Sequence, residues 1–115
     1  TCAATPHVVC IRDPHMGVGD DTLGQILMKA FVNTIDEVDP LPGTIVLYNG
    51  GITLALRDSP VLAALQELAA KGVTILVCGT CVDFFGRKDE VAVGTISNMY
   101  SIAEALSRAS HVVYP

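Results

Sequence analysis

Tryptophan is absent from this 115-residue sequence, and three Phe with three Tyr make aromatics only 5% of it. Val, Leu, Ile and Ala must therefore fill any core, and the 50% hydrophobic content is enough to build one. Basic residues are also scarce: seven Lys and Arg, scattered along the chain, against twelve Asp and Glu leave a net charge of -5. That composition lacks the positive footprint that recruits nucleic acid or anionic lipid, so neither is expected as a partner. No apolar run approaches the roughly 20 residues that span a bilayer. Val73 to Cys78 has only the length of a strand, and the first residues lack the basic region and apolar core of a secretory signal. Four cysteines are too few, in so hydrophobic a chain, for a secreted disulfide scaffold. Reduced thiols in a cytoplasm are expected.

No linker-like tract or internal repeat divides the chain, which reads as one domain over 1–115. The run His7 to Ile11 (HVVCI) suits a strand buried on both faces. Asp20 and Asp21 then suit a helix start near Thr22, because a carboxylate accepts the free amides of a first turn. Leu23, Ile26, Leu27, Ala30, Phe31 and Ile35 recur at helical spacing and predict a buried stripe, with Gln25, Lys29 and Asn33 turned outward and Pro40 and Pro42 beyond the end. Thr44 to Tyr48 is a β-branched second strand, followed by Asn49-Gly50-Gly51 and a small strand or turn at Ile52 to Leu56.

Asp58-Ser59-Pro60 predicts a second helix with inner positions Val61, Leu62, Leu65, Leu68 and Ala69, closed at Lys71-Gly72. Val73 to Cys78 is the third strand, with a short helix over Cys81 to Phe85. Val91 to Ser97 leads into a fourth strand. Asn98 or Ser97 caps a last helix whose inner face is Ile102, Ala103 and Leu106, and His111 to Tyr114 is the fifth strand. This alternation implies a three-layer α/β/α fold around a mainly parallel five-stranded sheet.

Ligands of open parallel sheets gather outside the carboxyl ends of the strands. Polar and glycine-rich segments fall there, among them Asp13 to Asp20, Asn49-Gly50-Gly51, Cys78 to Cys81 and Ser97 to Tyr100. Cys78-Gly79-Thr80-Cys81 is a C-x-x-C, a spacing that serves a metal, a reversible disulfide or an activated thiol. A structural zinc wants four ligands, and Cys2, Cys10, His7, His15 and His111 make no second knuckle, so no metal is expected. A helix N-terminus at Cys81, or Arg87 or Lys88 nearby, could stabilise a thiolate. Packing alone is the alternative for Cys78, which completes an apolar run; Cys10, in mid-strand, is expected to be inert core, and Cys2 is expected in a mobile terminus. Met16 to Asp21 has neither the glycine order nor the lysine of a phosphate loop and reads as a turn with a cap. Asn49 and Asn98 could donate to a bound anion, or simply serve the turn and the cap. The three histidines form no triad, and of them only His15 stands in a site-side loop.

The segments Met16-Gly-x-Gly-Asp-Asp-x-Leu-Gly24, Leu27-Met28-Lys29, Tyr48-Asn49-x-Gly51, Cys78-Gly79-Thr80-Cys81-x-Asp83 and Val93-Gly94-x-x-Ser97-Asn98-Met99-Tyr100 resemble, in order and over almost the whole chain, the YedF-type branch of the DsrE/DsrF-like proteins. That resemblance implies a DsrE-like fold and a cysteine that carries sulfur as a persulfide in the loop after the third strand. By its spacing to Gly86, Cys78 matches the sulfur-carrying cysteine of TusD-like relatives, and Cys81 is the extra cysteine of the YedF-like branch. YedF-like proteins commonly join an N-terminal TusA/SirA-like domain to one like this and are associated with selenium metabolism, so the sequence is expected to be excised from such a chain or to work with a separate TusA-like carrier.

The expected function is a sulfurtransferase-like domain with Cys78 and Cys81 as its reactive residues and no cofactor. Gly17, Asn49, Gly79, Thr80 and Asn98 are the expected binding residues, and a homo-oligomer is expected from the resemblance. The alternatives are a binding module of the same fold with inert cysteines, or a C-x-x-C redox protein.

Overall fold

A computed structural model of the chain describes residues 6–115; Cys2, expected in a mobile terminus, lies outside them. Five strands and four α-helices follow one another: β1 Val8–Ile11, α1 Asp21–Thr34, β2 Thr44–Leu47, α2 Leu62–Ala70, β3 Thr74–Cys78, α3 Gly79–Phe84, β4 Thr95–Ser97, α4 Met99–Arg108 and β5 Val112–Val113. All strand pairs are parallel, in the order β4-β3-β2-β1-β5. Each crossover that steps from β1 towards β4 moves in one direction, whereas the crossover to β5 returns over the whole sheet. Right-handedness therefore sets α1, α2 and α3 on one face and α4 on the other. The three-layer α/β arrangement expected from the sequence is present.

Register explains why the strands read as continuous apolar runs. Val9, Ile45, Ile75 and Val113 stand in one row and Cys10, Val46 and Leu76 in another, pointing to opposite faces. Both faces of the central strands are covered: Cys10, Ile11, Ile45, Val46, Leu47 and Val77 have no exposed surface. Asp20 caps α1 by accepting from the Leu23 amide at 2.9 Å, and Asn98 caps α4 by accepting from Ser101 at 2.9 Å. Gly72, at φ 98°, follows the last turn of α2.

The expected inner stripe of α1 holds only at its end, where Phe31 packs half-buried against the core and Ile35 is buried. Gly24, Met28 and Val32 are its buried residues, whereas Leu23, Ile26 and Leu27 are 52%, 60% and 43% exposed. Gly24 decides the face: a Cβ there would stand 2.8 Å from His15 Cβ, so only the glycine side can meet the preceding loop.

Other boundaries move less. Of the small strand or turn expected at Ile52 to Leu56, the turn forms: Asn49–Ala55 is a 3-10 helix whose buried Ile52, Leu54 and Ala55 anchor it to the core. Ile35–Glu37 and Lys88–Glu90 are two further such turns, and Val91 forms a single antiparallel bridge to Leu56 before β4 starts at Thr95. On α4, Ile102 is buried but Ala103 is exposed, so Ala103 does not belong to the inner face. No helix of the described residues is long and apolar enough to cross a membrane.

Candidate functional site

The exits of β1, β2 and β3 converge because their loops pack on one another. Gly51 lies so close to the β1 backbone that an added Cβ would overlap the Ile11 carbonyl, and Gly50 approaches Pro14. Asn49 is held at φ 50° in the same turn, a left-handed conformation that Asn tolerates better than most residues. Its backbone N–H points at the exit of β3 and donates to Cys81 Sγ at 3.1 Å.

Cys78 closes β3 and Cys81 sits in the first turn of α3, which begins at Gly79 rather than at Cys81 as expected. The two thiols are neighbours of unequal access: Cys78 is 2% exposed, while Cys81 is only partly buried. Burial pushes the Cys81 thiol up, the adjacent Cys78 thiol pushes it the same way, and the Asn49 amide opposes both. Cys78, Cys81 and Cys10 are free thiols. Gly79 has no room for a side chain, because its Cβ would meet the Ser97 carbonyl at 2.8 Å, and this contact seats the start of α3 on the β4–α4 junction.

The structure brings some of the expected binding residues together and separates others. Asn49, Gly79 and exposed Thr80 surround Cys81, with Asn49 acting through its main chain. Gly79 and Thr80 open a helix, where amides lack intrahelical partners. Asn98 follows β4, beside that junction, and its side-chain oxygen is committed to capping α4. Gly17 lies elsewhere: with Arg12, Asp13, His15 and Asp21 it lines an open polar depression of about 580 Å³ at the end of β1. His15 is tied there on both sides, by Asp13 at 2.7 Å and by Gln25 at 3.3 Å, and serves as a latch between loop and α1.

Arg87, considered above as a cation for the thiolate, is engaged by Glu90 at 2.7 Å and Asp58 at 3.1 Å. Cys10 is buried on β1, where desolvation raises its pKa and Tyr48 and Arg12 oppose the rise. Among the described residues no three His, Cys, Asp or Glu side chains are grouped as a metal ion would need.

A parallel sheet with strand order β4-β3-β2-β1-β5 and a cysteine pair at the β3 exit is thus in place, and residues 23–115 match the DsrE/DsrF-like family. The chain belongs to that family. The fold is shared with the ychN protein from E. coli at a TM-score of 0.72 and 18% identity, over 96% of this chain and 99% of that one. A protein of unknown function from Methanobacterium thermoautotrophicum is similar at 0.69 and 21%, over 96% and 99%. A conserved protein of unknown function from Bacteroides thetaiotaomicron is similar at 0.63 and 18%, over 96% and 95%. No curated protein matches the chain.

Sequence reasoning passed over the apolar surroundings of the DsrE/DsrF-like chain's cysteine pair. Phe84 on α3 is 83% exposed, and on the adjoining β4–α4 segment Ile96, Met99 and Tyr100 are 40%, 59% and 76% exposed. Two of these are among the chain's six aromatics. The signal was present in that scarcity: where aromatics are few, a pair flanking a polar junction is poorly explained by core packing.

Proposed function

We propose that this domain carries sulfane sulfur, or selenium, as a persulfide on Cys81 and passes it between proteins, in the manner of a YedF-type sulfurtransferase-like domain. The observation that carries the proposal is the Asn49 amide directed at the partly accessible Cys81 Sγ. An N–H donor beside a sulfur stabilises the anionic form that both attacks a donor and leaves to an acceptor. Cys78 is too enclosed to meet a protein donor directly.

The exposed Phe84, Ile96, Met99 and Tyr100 favour a protein as donor or acceptor, since aromatic and Met side chains are enriched at the centres of protein interfaces. A TusA-like carrier is such a protein. The apolar outer face of α1, with Leu23, Ile26 and Leu27, is a separate surface that supports self-association into a homo-oligomer.

A second reading, a binding module with inert thiols, is favoured by one observation: burial and the Cys78 thiol both hold Cys81 protonated. Intact mass after incubation with a persulfide donor separates the two. A gain of one sulfur atom (~32 Da) that is lost in Cys81→Ala supports the carrier. No gain, with Cys81 resistant to alkylation in the native protein, supports the binding module.

A further inference from the structure

Cys78 has no task in a carrier that works through Cys81 alone, yet its position is specific. It is 2% exposed, it adjoins Cys81, and β2 separates it from the one other described cysteine, Cys10 on β1. Residues three apart at a helix's first turn are close enough for their sulfurs to be joined with little backbone movement. Gly79, packed on the Ser97 carbonyl, fixes the turn between them. A buried thiol whose accessible sulfur partner is Cys81 can react with whatever Cys81 carries before it reacts with solvent.

We infer that Cys78 discharges the Cys81 persulfide as free hydrosulfide. The inference rests on the carrier reading above. The Cys78 thiolate attacks Cys81 Sγ, the bond between Sγ and the carried sulfur breaks, and hydrosulfide departs with the bonding pair. A Cys78–Cys81 disulfide remains. The carried sulfur is reduced by two electrons to sulfide while the two cysteine sulfurs are oxidised to the disulfide, and the proton shed by Cys78 passes to water. An external dithiol then reduces the disulfide by exchange and restores the starting pair.

Attack on the inner sulfur is the favoured direction. The alternative, attack on the carried sulfur, would expel the Cys81 thiolate, which its burial and the Cys78 side chain make a poor leaving group. With selenium as cargo the same step yields hydroselenide. The domain therefore has two outlets: transfer when an acceptor occupies the surface beside Cys81, and release when none does. The product would feed a reaction that uses inorganic sulfide or selenide as its nucleophile.

The test uses the reduced chain under anaerobic conditions, freed of small thiols, exposed briefly to inorganic polysulfide and rapidly desalted from it, with dissolved sulfide and intact mass then followed in time. Wild type is expected to pass through a persulfide mapped to Cys81, to release about one equivalent of sulfide, and to finish ~2 Da below its reduced mass as the disulfide forms. Cys78→Ala and Cys78→Ser are expected to keep the added sulfur and to release sulfide at least tenfold more slowly. A wild-type persulfide that persists while Cys78 stays free to alkylation after unfolding overturns the discharge step and leaves the carrier intact. Absence of any added sulfur in wild type and in both Cys78 variants overturns the carrier reading and this one together. Should both Cys78 variants misfold, the wild-type time course alone decides, because a disulfide that forms without a preceding Cys81 persulfide also overturns the step.

Discussion

Asn49 is the single described non-glycine residue with a left-handed backbone, at φ 50°, and its amide is the donor to Cys81 Sγ at 3.1 Å. Backbone strain and contact with the thiol meet at one peptide unit, because the turn that aims the amide is the turn that costs strain.

Replacing Asn49 separates these roles. Asn49→Gly keeps both the left-handed turn and the amide, so stability and sulfur loading stay close to wild type. Asn49→Ala is expected to lower unfolding free energy by about 1 kcal/mol, the cost of a Cβ in this conformation. Urea denaturation with mass spectrometry reads both, and loss of loading in the glycine variant would transfer the role from the main chain to the Asn49 side chain.

Gly79→Ala places a methyl 2.8 Å from the Ser97 carbonyl. The β3–α3 and β4–α4 junctions must then part, at about 1–3 kcal/mol, and sulfur loading at Cys81 should fall several-fold. Gly72→Ala, where the space is open but φ is 98°, is the control: it costs stability and leaves loading unchanged. Equal loading in the two variants would contradict the packing account.

Alkylation of Cys81 should follow its thiolate. Because burial and Cys78 raise its pKa, the rate rises with pH to a midpoint above that of an ordinary cysteine. Cys78→Ala removes one of the raising influences, so the midpoint moves down and alkylation at pH 8 becomes faster. A midpoint unchanged or higher in Cys78→Ala would show that the pair is not in contact.

At the amino ends of the strands, His7 and His111 stack with ring centroids 4.9 Å apart and planes 4° from parallel, immediately before β1 and β5. Burial first, and the charge of His111 second, push the His7 pKa below its ordinary value of 6.5. Folding therefore favours neutral His7. Its contribution is complete above pH 6.5 and is lost as pH falls through the lowered folded value. His7→Gln should flatten the acid limb of a stability-against-pH curve relative to wild type, and an unchanged limb would remove His7 as its cause.

Leu23→Glu with Ile26→Glu tests the outer face of α1. Both side chains are exposed, so the stability of the isolated chain should change by no more than about 0.5 kcal/mol per site. Sedimentation should show a smaller assembly than wild type. If the two sediment alike, this face is not where copies meet.

The parallel strands were legible because burial on both faces leaves runs such as VVCI and TILVC with no polar interruption. The caps Asp20 and Asn98 were legible because only a short polar side chain can reach back to the first free amides. The face of α1 was not, since two apolar rows run along it at the same period. Choosing between them needed Gly24, whose meaning depends on a loop that periodicity cannot see. The cysteine pair could be found by spacing, but its asymmetry could not. Cys78 is enclosed because β4 pairs Ser97 beside it, and Cys81 gains its amide from a turn 32 residues earlier, so both are consequences of long-range register.

The strand order also governs how the protein can be handled. Strands β1 and β5 lie side by side and run the same way, so His7 and His111 stand together at their amino ends while Pro115 meets Arg12, Asp13 and His15 at their carboxyl ends. A label or tether on His7 sits at the amino ends of the strands, whereas Cys78 closes β3 at its carboxyl end. One placed after β5 starts beside the depression lined by Arg12, Asp13 and His15, with β1 and β2 between it and the strand that ends in Cys78.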